Sequence, residues 1–371
     1  MFSGTELIRY QRHLGLAGFG PEAQSKLSAS SVLVVGAGGL GCPALLYLAA
    51  AGVGRLVVID PDRVELSNLQ RQVLFTTEDI GQPKAEAAAR RLRMLNPEIA
   101  IDAIIARLDQ ANALALVRAA DLVVDGSDNF ATRYLVNDAC VLTDRPFVHA
   151  AVEGFEGQAS VFNWRGGPTY RCLFPAPPPP GAAPSCTDAG VLGVLPGLLG
   201  TIQATEAIKL LTGIGEPLAG RVLLWDARSL AVRTITLVAD PRSRAITELP
   251  LNPVGKSCDE EDEIYVAALR TRLGDVQLID VREAPERALG AIEGSVHVPL
   301  AQLATTDLTA LGLDPGLFTV VYCGAGLRSQ HAVPTMRELH GFSEVRSLQG
   351  GYRAWTERPA ADQHDQRAQP R

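Results

Sequence analysis

Ser31-Val32-Leu33-Val34-Val35 is an unbroken apolar run, rich in β-branched residues, that stops at Gly36. Such a run predicts a buried parallel strand feeding a helix, here expected to start near Gly41. Comparable strands are expected at Arg55 to Asp60, Ile99 to Ile105 and Asp121 to Asp125, with helical stretches at Lys84 to Leu95 and Asn129 to Leu142. Alternation of this kind predicts a doubly wound α/β sheet. From Arg165 to Gly190 the pattern fails, and Pro175, Pro177 to Pro180 and Pro184 predict a long irregular surface segment. A helix from about Pro196 to Leu211 and strands at Arg221 to Trp225 and Val232 to Leu237 are expected to complete a first domain, residues 1–250.

Between residues 251 and 263 the composition turns polar and acidic, ending Cys258-Asp259-Glu260-Glu261-Asp262-Glu263, as expected of a solvated linker. A second, smaller α/β unit is expected over 264–358, with strands at Val276 to Val281, Ser295 to Val298 and Phe318 to Tyr322. Residues 359–371 carry no apolar periodicity and are expected to form a disordered tail. With 371 residues, 47% of them apolar, the chain has enough material for more than one core.

A net charge of -7, with the basic residues scattered rather than striped, argues against a nucleic-acid partner. The first residues lack a signal pattern, and no apolar run reaches the ~18 residues of a membrane span. A cytoplasmic protein is expected, with its six cysteines reduced, so that any essential cysteine is chemical.

The turn Gly36-Ala37-Gly38-Gly39-Leu40-Gly41 lets backbone N–H groups approach phosphates, and Asp60 can accept ribose hydroxyls. Taken alone, this suits NAD as well as ATP. Ser67-Asn68-Leu69-Gln70-Arg71-Gln72, Gly81-Gln82-Pro83-Lys84 and Asp125-Gly126-Ser127-Asp128-Asn129 shift the balance toward a triphosphate. Arg71 and Lys84 can neutralise its phosphates and Asp128 can hold Mg²⁺ through one carboxylate, needs that NAD does not have. Each has a plainer reading: Arg71 and Lys84 as solvated surface charges, Asp128 as a helix cap, Arg12 as a surface ion pair.

Together with Arg9-Tyr10-Gln11-Arg12, these motifs resemble the ThiF/MoeB adenylyltransferases, relatives of ubiquitin-activating enzymes, over roughly Thr5 to Leu249. The resemblance implies a Rossmann-like adenylation domain that activates the C-terminal Gly-Gly carboxylate of a ubiquitin-like sulfur-carrier protein with ATP and Mg²⁺. It assigns Gly36, Gly38, Gly39, Asp60, Ser67, Asn68, Leu69, Gln70, Arg71, Lys84, Asp128 and Asn129 to the nucleotide, and Arg12 to the ATP site of the other subunit of a homodimer. The family commonly carries two Cys-x-x-Cys pairs that bind structural zinc. Here Thr169-Tyr170-Arg171-Cys172 keeps one cysteine and Asp240-Pro241-Arg242-Ser243-Arg244 keeps none, so no zinc is expected and Asp240 to Leu249 should be held by packing alone. The family often has a cysteine where Cys186 stands; it is expected either to link covalently to the carrier in transit or to be an inert loop thiol.

Near the other end, Cys323-Gly324-Ala325-Gly326-Leu327-Arg328-Ser329 follows an expected strand, and its glycines allow backbone N–H groups to converge on the sulfur. With Leu278-Ile279-Asp280-Val281-Arg282-Glu283 and Gly290 to Pro299 it resembles rhodanese domains, over Ile264 to Arg358. The resemblance makes Cys323 a persulfide carrier with Arg328 closing the loop. Four residues separate Cys323 from Arg328, one fewer than in cysteine phosphatases, which favours sulfur over phosphate. A structural cysteine is the plainer alternative, and His297 and His331 are read as structural.

The two motifs together predict an adenylyltransferase fused to a sulfurtransferase, supplied with sulfur by thiosulfate or a cysteine desulfurase, that yields a carrier thiocarboxylate. Transfer of the activated carrier to lysines is a second enzymatic reading. A carrier-binding scaffold with a decayed site is the non-enzymatic one.

Overall fold

In the computed structural model, which describes residues 2–177, 190–249 and 262–356, strands β1 (Ser31–Val35), β2 (Arg55–Ile59), β3 (Ala100–Ile104), β4 (Leu122–Asp125) and β5 (Phe147–Glu153) run parallel. Their order is 3-2-1-4-5. Central β1 explains why its sequence does not alternate. Val32 and Val34 enter one core with Leu45, Leu48 and Leu199, while Leu33 and Val35 enter another with Tyr134, Phe147 and Phe162. Both faces are covered, so every position is selected for apolar character. The expected doubly wound sheet is present, and its order reverses between β1 and β4, opening a crevice at their carboxyl ends.

Three antiparallel strands extend the sheet beyond β5: β6 (Glu156–Phe162), β7 (Arg221–Asp226) and β8 (Ala231–Thr236). The β5–β6 hairpin was not expected. Its second strand, Glu156-Gly157-Gln158-Ala159-Ser160-Val161-Phe162, is poor in strand formers and is held by pairing on both sides. The helix over Val194–Thr212 packs against that hairpin and against the helix Gly41–Ala51; an added Cβ on Gly200 would stand 2.2 Å from Leu40 O.

The described residues form two compact units, 2–177 with 190–249, and 262–356. In the second, β9 (Glu263–Ile264), β10 (Gln277–Asp280), β11 (Val296–His297), β12 (Thr319–Tyr322) and β13 (Val345–Leu348) form a parallel sheet of order 11-10-12-13-9. Glu263, placed by the sequence in the linker, opens β9 and pairs with Ser347. The remainder of that expected linker up to residue 261, the expected tail 359–371 and the expected loop at 178–189 lie outside the described residues. No described helix is long and apolar enough to cross a membrane.

Packing alone does not hold the segment after β8. Cys172 Sγ accepts hydrogen bonds from Asp240 N and Thr169 N, each at 3.3 Å, and Ser243 Oγ lies 3.1 Å from it. Arg244 Nη2 donates to Gly167 O at 3.0 Å. Burial works to raise the Cys172 pKa, but the hydrogen bonds from Asp240, Ser243 and Thr169 outweigh it and leave the thiol below its ordinary value. The correction is physical: one sulfur, acting as an acceptor, ties two segments together through backbone donors that the sequence pattern does not display. Cys172→Ala is therefore expected to destabilise the first unit by ~1–2 kcal/mol, because it strands two N–H groups. Cys172→Ser should recover part of that loss in urea unfolding, and an unchanged midpoint for the alanine variant would return the segment to packing alone.

Candidate active site

At the end of β1 the glycine turn is shaped by backbone crowding. Gly36 has φ +90°, and a Cβ on Gly41 would stand 1.9 Å from Gly36 O. Asp60, at the end of β2 and 4% exposed, holds the turn directly: Oδ2 accepts from Ala37 N at 2.7 Å and Oδ1 from Asp62 N at 2.8 Å. Burial raises its pKa, opposed by the Lys84 charge and these two N–H groups. Each carboxylate oxygen keeps a second lone pair, so the same side chain can also take ribose hydroxyls.

Lys84 begins the helix Lys84–Leu95, is buried, and pairs with Asp62 at 2.8 Å, so it is not a solvated surface charge. Arg71 packs its stem by Gly39 and donates to Ser67 O at 3.1 Å. Ser67 and Asn68 lie in a short 3-10 turn, Leu66–Asn68, followed by half-buried Leu69 and exposed Gln70. Gly38 faces the Gln72 amide, whose buried Oε1 has no hydrogen-bond partner among the described residues. Asn129, not Asp128, caps the helix Phe130–Thr143, accepting from Thr132 N at 2.9 Å. That leaves the exposed Asp128 carboxylate available to a cation. Arg12 is exposed on the turn Gln11–Leu14.

Beside Asp128 opens a cavity of about 590 Å³ floored by Arg133, Tyr170 and Phe174 and walled by the β5–β6 hairpin. Sequence reasoning singled out neither Arg133 nor Tyr170; the one signal was an arginine one turn past the Asn129 cap, on a helix face otherwise buried. Behind them, Asp125 is fully buried. Burial pushes its pKa up, but His149, the Arg133 charge and Ser127 outweigh that and keep the carboxyl below its usual range. Burial lowers the His149 pKa, so its neutral ring donates from Nδ1 to Asp125 Oδ2 at 3.0 Å, and Nε2 has no hydrogen-bond partner among the described residues.

In the second unit β12 delivers Cys323 to the start of a loop closed by Gly326 at φ +98° and by the helix Leu327–His340. The sulfur, 2% exposed, accepts from Gly326 N at 3.1 Å and lies 3.7 Å from Ser329 Oγ. The loop is pinned from outside, since Tyr352 N donates to Cys323 O at 2.7 Å and Arg353 N to Gly324 O at 3.0 Å. Arg328 makes a bidentate pair with Glu286, at 2.7 and 2.6 Å, which lowers the Glu286 pKa. His297 Nε2 bonds to Arg282 O at 2.8 Å, and His331 is exposed. Cys186 lies outside the described residues. Among described residues no group of three or more His, Cys, Asp or Glu is placed to hold a metal. Burial pushes the Cys42 thiol up to about 12 and raises that of Cys140, which suits packing rather than chemistry.

The sequence profile of the ThiF family matches residues 10–245, and that of the rhodanese-like domain matches residues 265–358. The chain is 42% identical to the probable adenylyltransferase/sulfurtransferase MoeZ of Mycobacterium tuberculosis, over 97% of this chain and 95% of MoeZ. It is 56% identical to a sulfur carrier protein adenylyltransferase of Thermus thermophilus, over 64% of this chain and 89% of that protein. E. coli MccB with MccA-N7isoASN superposes with a TM-score of 0.56 at 24% identity, covering 65% of this chain and 74% of MccB, a likeness of fold. A glycine turn tied to Asp60 in one unit and a pinned cysteine loop in the other thus accompany matches along nearly the whole chain: it belongs to the ThiF family and carries a C-terminal rhodanese-like domain.

Proposed function

We propose that the chain adenylates the C-terminal carboxylate of a ubiquitin-like sulfur-carrier protein and then converts it to a thiocarboxylate. The observation that carries this reading is the coexistence of two built sites, the Asp60-bound turn with Lys84 and Asp128 beside it, and the Cys323 loop. In the first step a carboxylate oxygen attacks the α-phosphorus of ATP and the bond to pyrophosphate breaks. Backbone N–H groups of Gly38 to Gly41, with Arg71 and Lys84, take up charge moving onto pyrophosphate. Asp128 would hold the magnesium that screens the phosphates; an exposed carboxylate fits a metal that keeps most of its ligands as water and phosphate.

In the second step the outer sulfur of a Cys323 persulfide attacks the acyl carbon, a C–S bond forms and AMP leaves. A dithiol reductant then attacks the Cys323 sulfur, releases the thiocarboxylate and, by closing to its own disulfide, restores the Cys323 thiol; Cys186 is the candidate to hold the carrier covalently in transit. The persulfide comes from thiosulfate or a cysteine desulfurase. Arg12 serves the nucleotide site of a second copy in a homodimer. The two domains are taken as 1–250 and 264–358, in a cytoplasmic protein.

Asp128→Ala should reduce carrier-dependent ATP–pyrophosphate exchange by at least ~100-fold without a change in thermal unfolding, because the residue is exposed; full exchange would sink the adenylation assignment. Cys323→Ser should lose thiosulfate-to-cyanide transfer while exchange persists, and retained transfer would move the persulfide to another residue. Replacing Cys186 by serine should lower thiocarboxylate yield, measured by mass spectrometry of the carrier, and spare exchange. An unchanged yield would remove Cys186 from the pathway.

A further inference from the structure

Two fully buried serines, Ser329 and Ser347, meet beside the cysteine loop. Ser329 belongs to the first turn of the helix Leu327–His340, whereas Ser347 comes from β13. The sheet fixes Ser347 from both sides, pairing it with Val321 of β12 and Glu263 of β9. As the register partner of Val321 it lies on the face where Val321, Val345, Ala332, Val333 and Met336 pack, a place that suits a hydrocarbon. A hydroxyl buried there is costly unless it is hydrogen-bonded.

Ser329 Oγ donates to Gly326 O at 2.8 Å and lies 3.7 Å from Cys323 Sγ. Ser347 Oγ is 2.8 Å from Ser329 Oγ and reaches the same carbonyl at 3.3 Å. Each hydroxyl has one proton, so these contacts are not all donations at once. Two arrangements share the same distances. In one, Ser329 donates to Gly326 O and Ser347 donates to Ser329. In the other, Ser329 turns to the sulfur and Ser347 takes over the carbonyl. Gly326 O keeps a hydroxyl partner in both, so the residue whose N–H is aimed at the sulfur stays in place.

We infer that Ser347 is a positioning residue for sulfur transfer: by taking over Gly326 O it frees the Ser329 hydroxyl to donate to Cys323 Sγ when that atom carries charge. The inference rests on Cys323 being the persulfide carrier and adds to it a residue from a different strand. Charge sits on Sγ at two points. During loading, the Cys323 thiolate attacks the outer sulfur of thiosulfate, a new S–S bond forms, the thiosulfate S–S bond breaks and sulfite leaves with the electron pair. During discharge to cyanide, the cyanide carbon bonds to the outer sulfur, the S–S bond breaks and the electron pair returns to Sγ. Between the two, the charge is on the outer sulfur and Ser329 returns to the carbonyl. No proton leaves either serine.

The test uses the full chain and two readouts: the rate of Cys323 alkylation by iodoacetamide at neutral pH, followed by peptide mass spectrometry, and single-turnover transfer from thiosulfate to cyanide. Ser329→Ala should slow both by at least about tenfold, as expected for a lost hydrogen bond to a charged group, and Ser347→Ala by about fivefold. The double variant should be no slower than Ser329→Ala, because Ser347 acts only through Ser329. Ser347→Thr and Ser347→Val share a shape and differ by a hydroxyl, so the threonine variant should be several-fold faster than the valine variant whatever either does to packing. If either branched variant fails to fold by circular dichroism, Ser347→Ala, which loses only one oxygen, carries the comparison. Wild-type rates in Ser347→Ala, equal rates in folded Ser347→Thr and Ser347→Val, or additive losses in the double variant overturn the inference. Additive losses would leave Ser347 a loop-packing residue. Retained transfer in Cys323→Ser would instead remove the persulfide reading, whereas alkylation of Cys323 reads the two serines independently of it.

Discussion

The first site depends on a backbone-to-backbone contact between two turns. The turn after β1 and the turn after β4 meet so closely that a Cβ on Gly36 would stand 3.0 Å from Gly126 O, and one on Gly126 would meet Gly41 N and Val35 O at 3.1 Å. No side chain separates them, and the helix Gly41–Ala51 starts directly at their meeting point. Asp60 locks the arrangement from the neighbouring strand. Because β4 is brought beside β1 by the order reversal, Asp128 follows a strand that neighbours the glycine turn although it is distant in sequence.

The second unit applies the same constraint to sulfur. A Cβ on Gly351 would lie 2.3 Å from Cys323 O and 2.7 Å from Gly326 N, so only glycine lets the chain after β13 cross over the cysteine loop. That crossing fixes the carbonyls of Cys323 and Gly324 through Tyr352 and Arg353, and with them the direction of the Gly326 N–H aimed at sulfur. In both units the reactive groups sit at the carboxyl ends of parallel strands, where backbone turns converge.

Much of this was legible because buried parallel strands leave continuous apolar runs, and β1, β2, β4, β10 and β12 fall within a residue or so of their expected positions at one or both ends. The glycines were legible because spacing displays steric need. The β5–β6 hairpin and β13 were not, because short strands such as Val345-Arg346-Ser347-Leu348 take their conformation from neighbours rather than from their own residues. Cys172 was read as a relic of a lost metal site, since a pattern of four ligands shows a sulfur's missing partners but not the backbone donors that replace them. Arg133 and Tyr170 escaped for a related reason: nothing in a sequence shows that a polar group is buried beside the end of a distant strand.

The Arg328–Glu286 pair bears on what the cysteine loop can hold. A loop that bound a phosphate dianion would need its arginine to face the ligand, with both guanidinium edges available for bidentate contact. Here the Nη1/Nη2 edge is given to Glu286, and both Arg328 Nη2 and Glu286 Oε1 stand by Gly324 at the side of the loop. The described donor aimed at Cys323 Sγ is the Gly326 N–H at 3.1 Å, with the Ser329 hydroxyl, which also donates to Gly326 O, 3.7 Å away. Such donors suit a single negative charge centred on sulfur. The pair with Glu286 fixes Arg328 at the side of the loop that presents the sulfur.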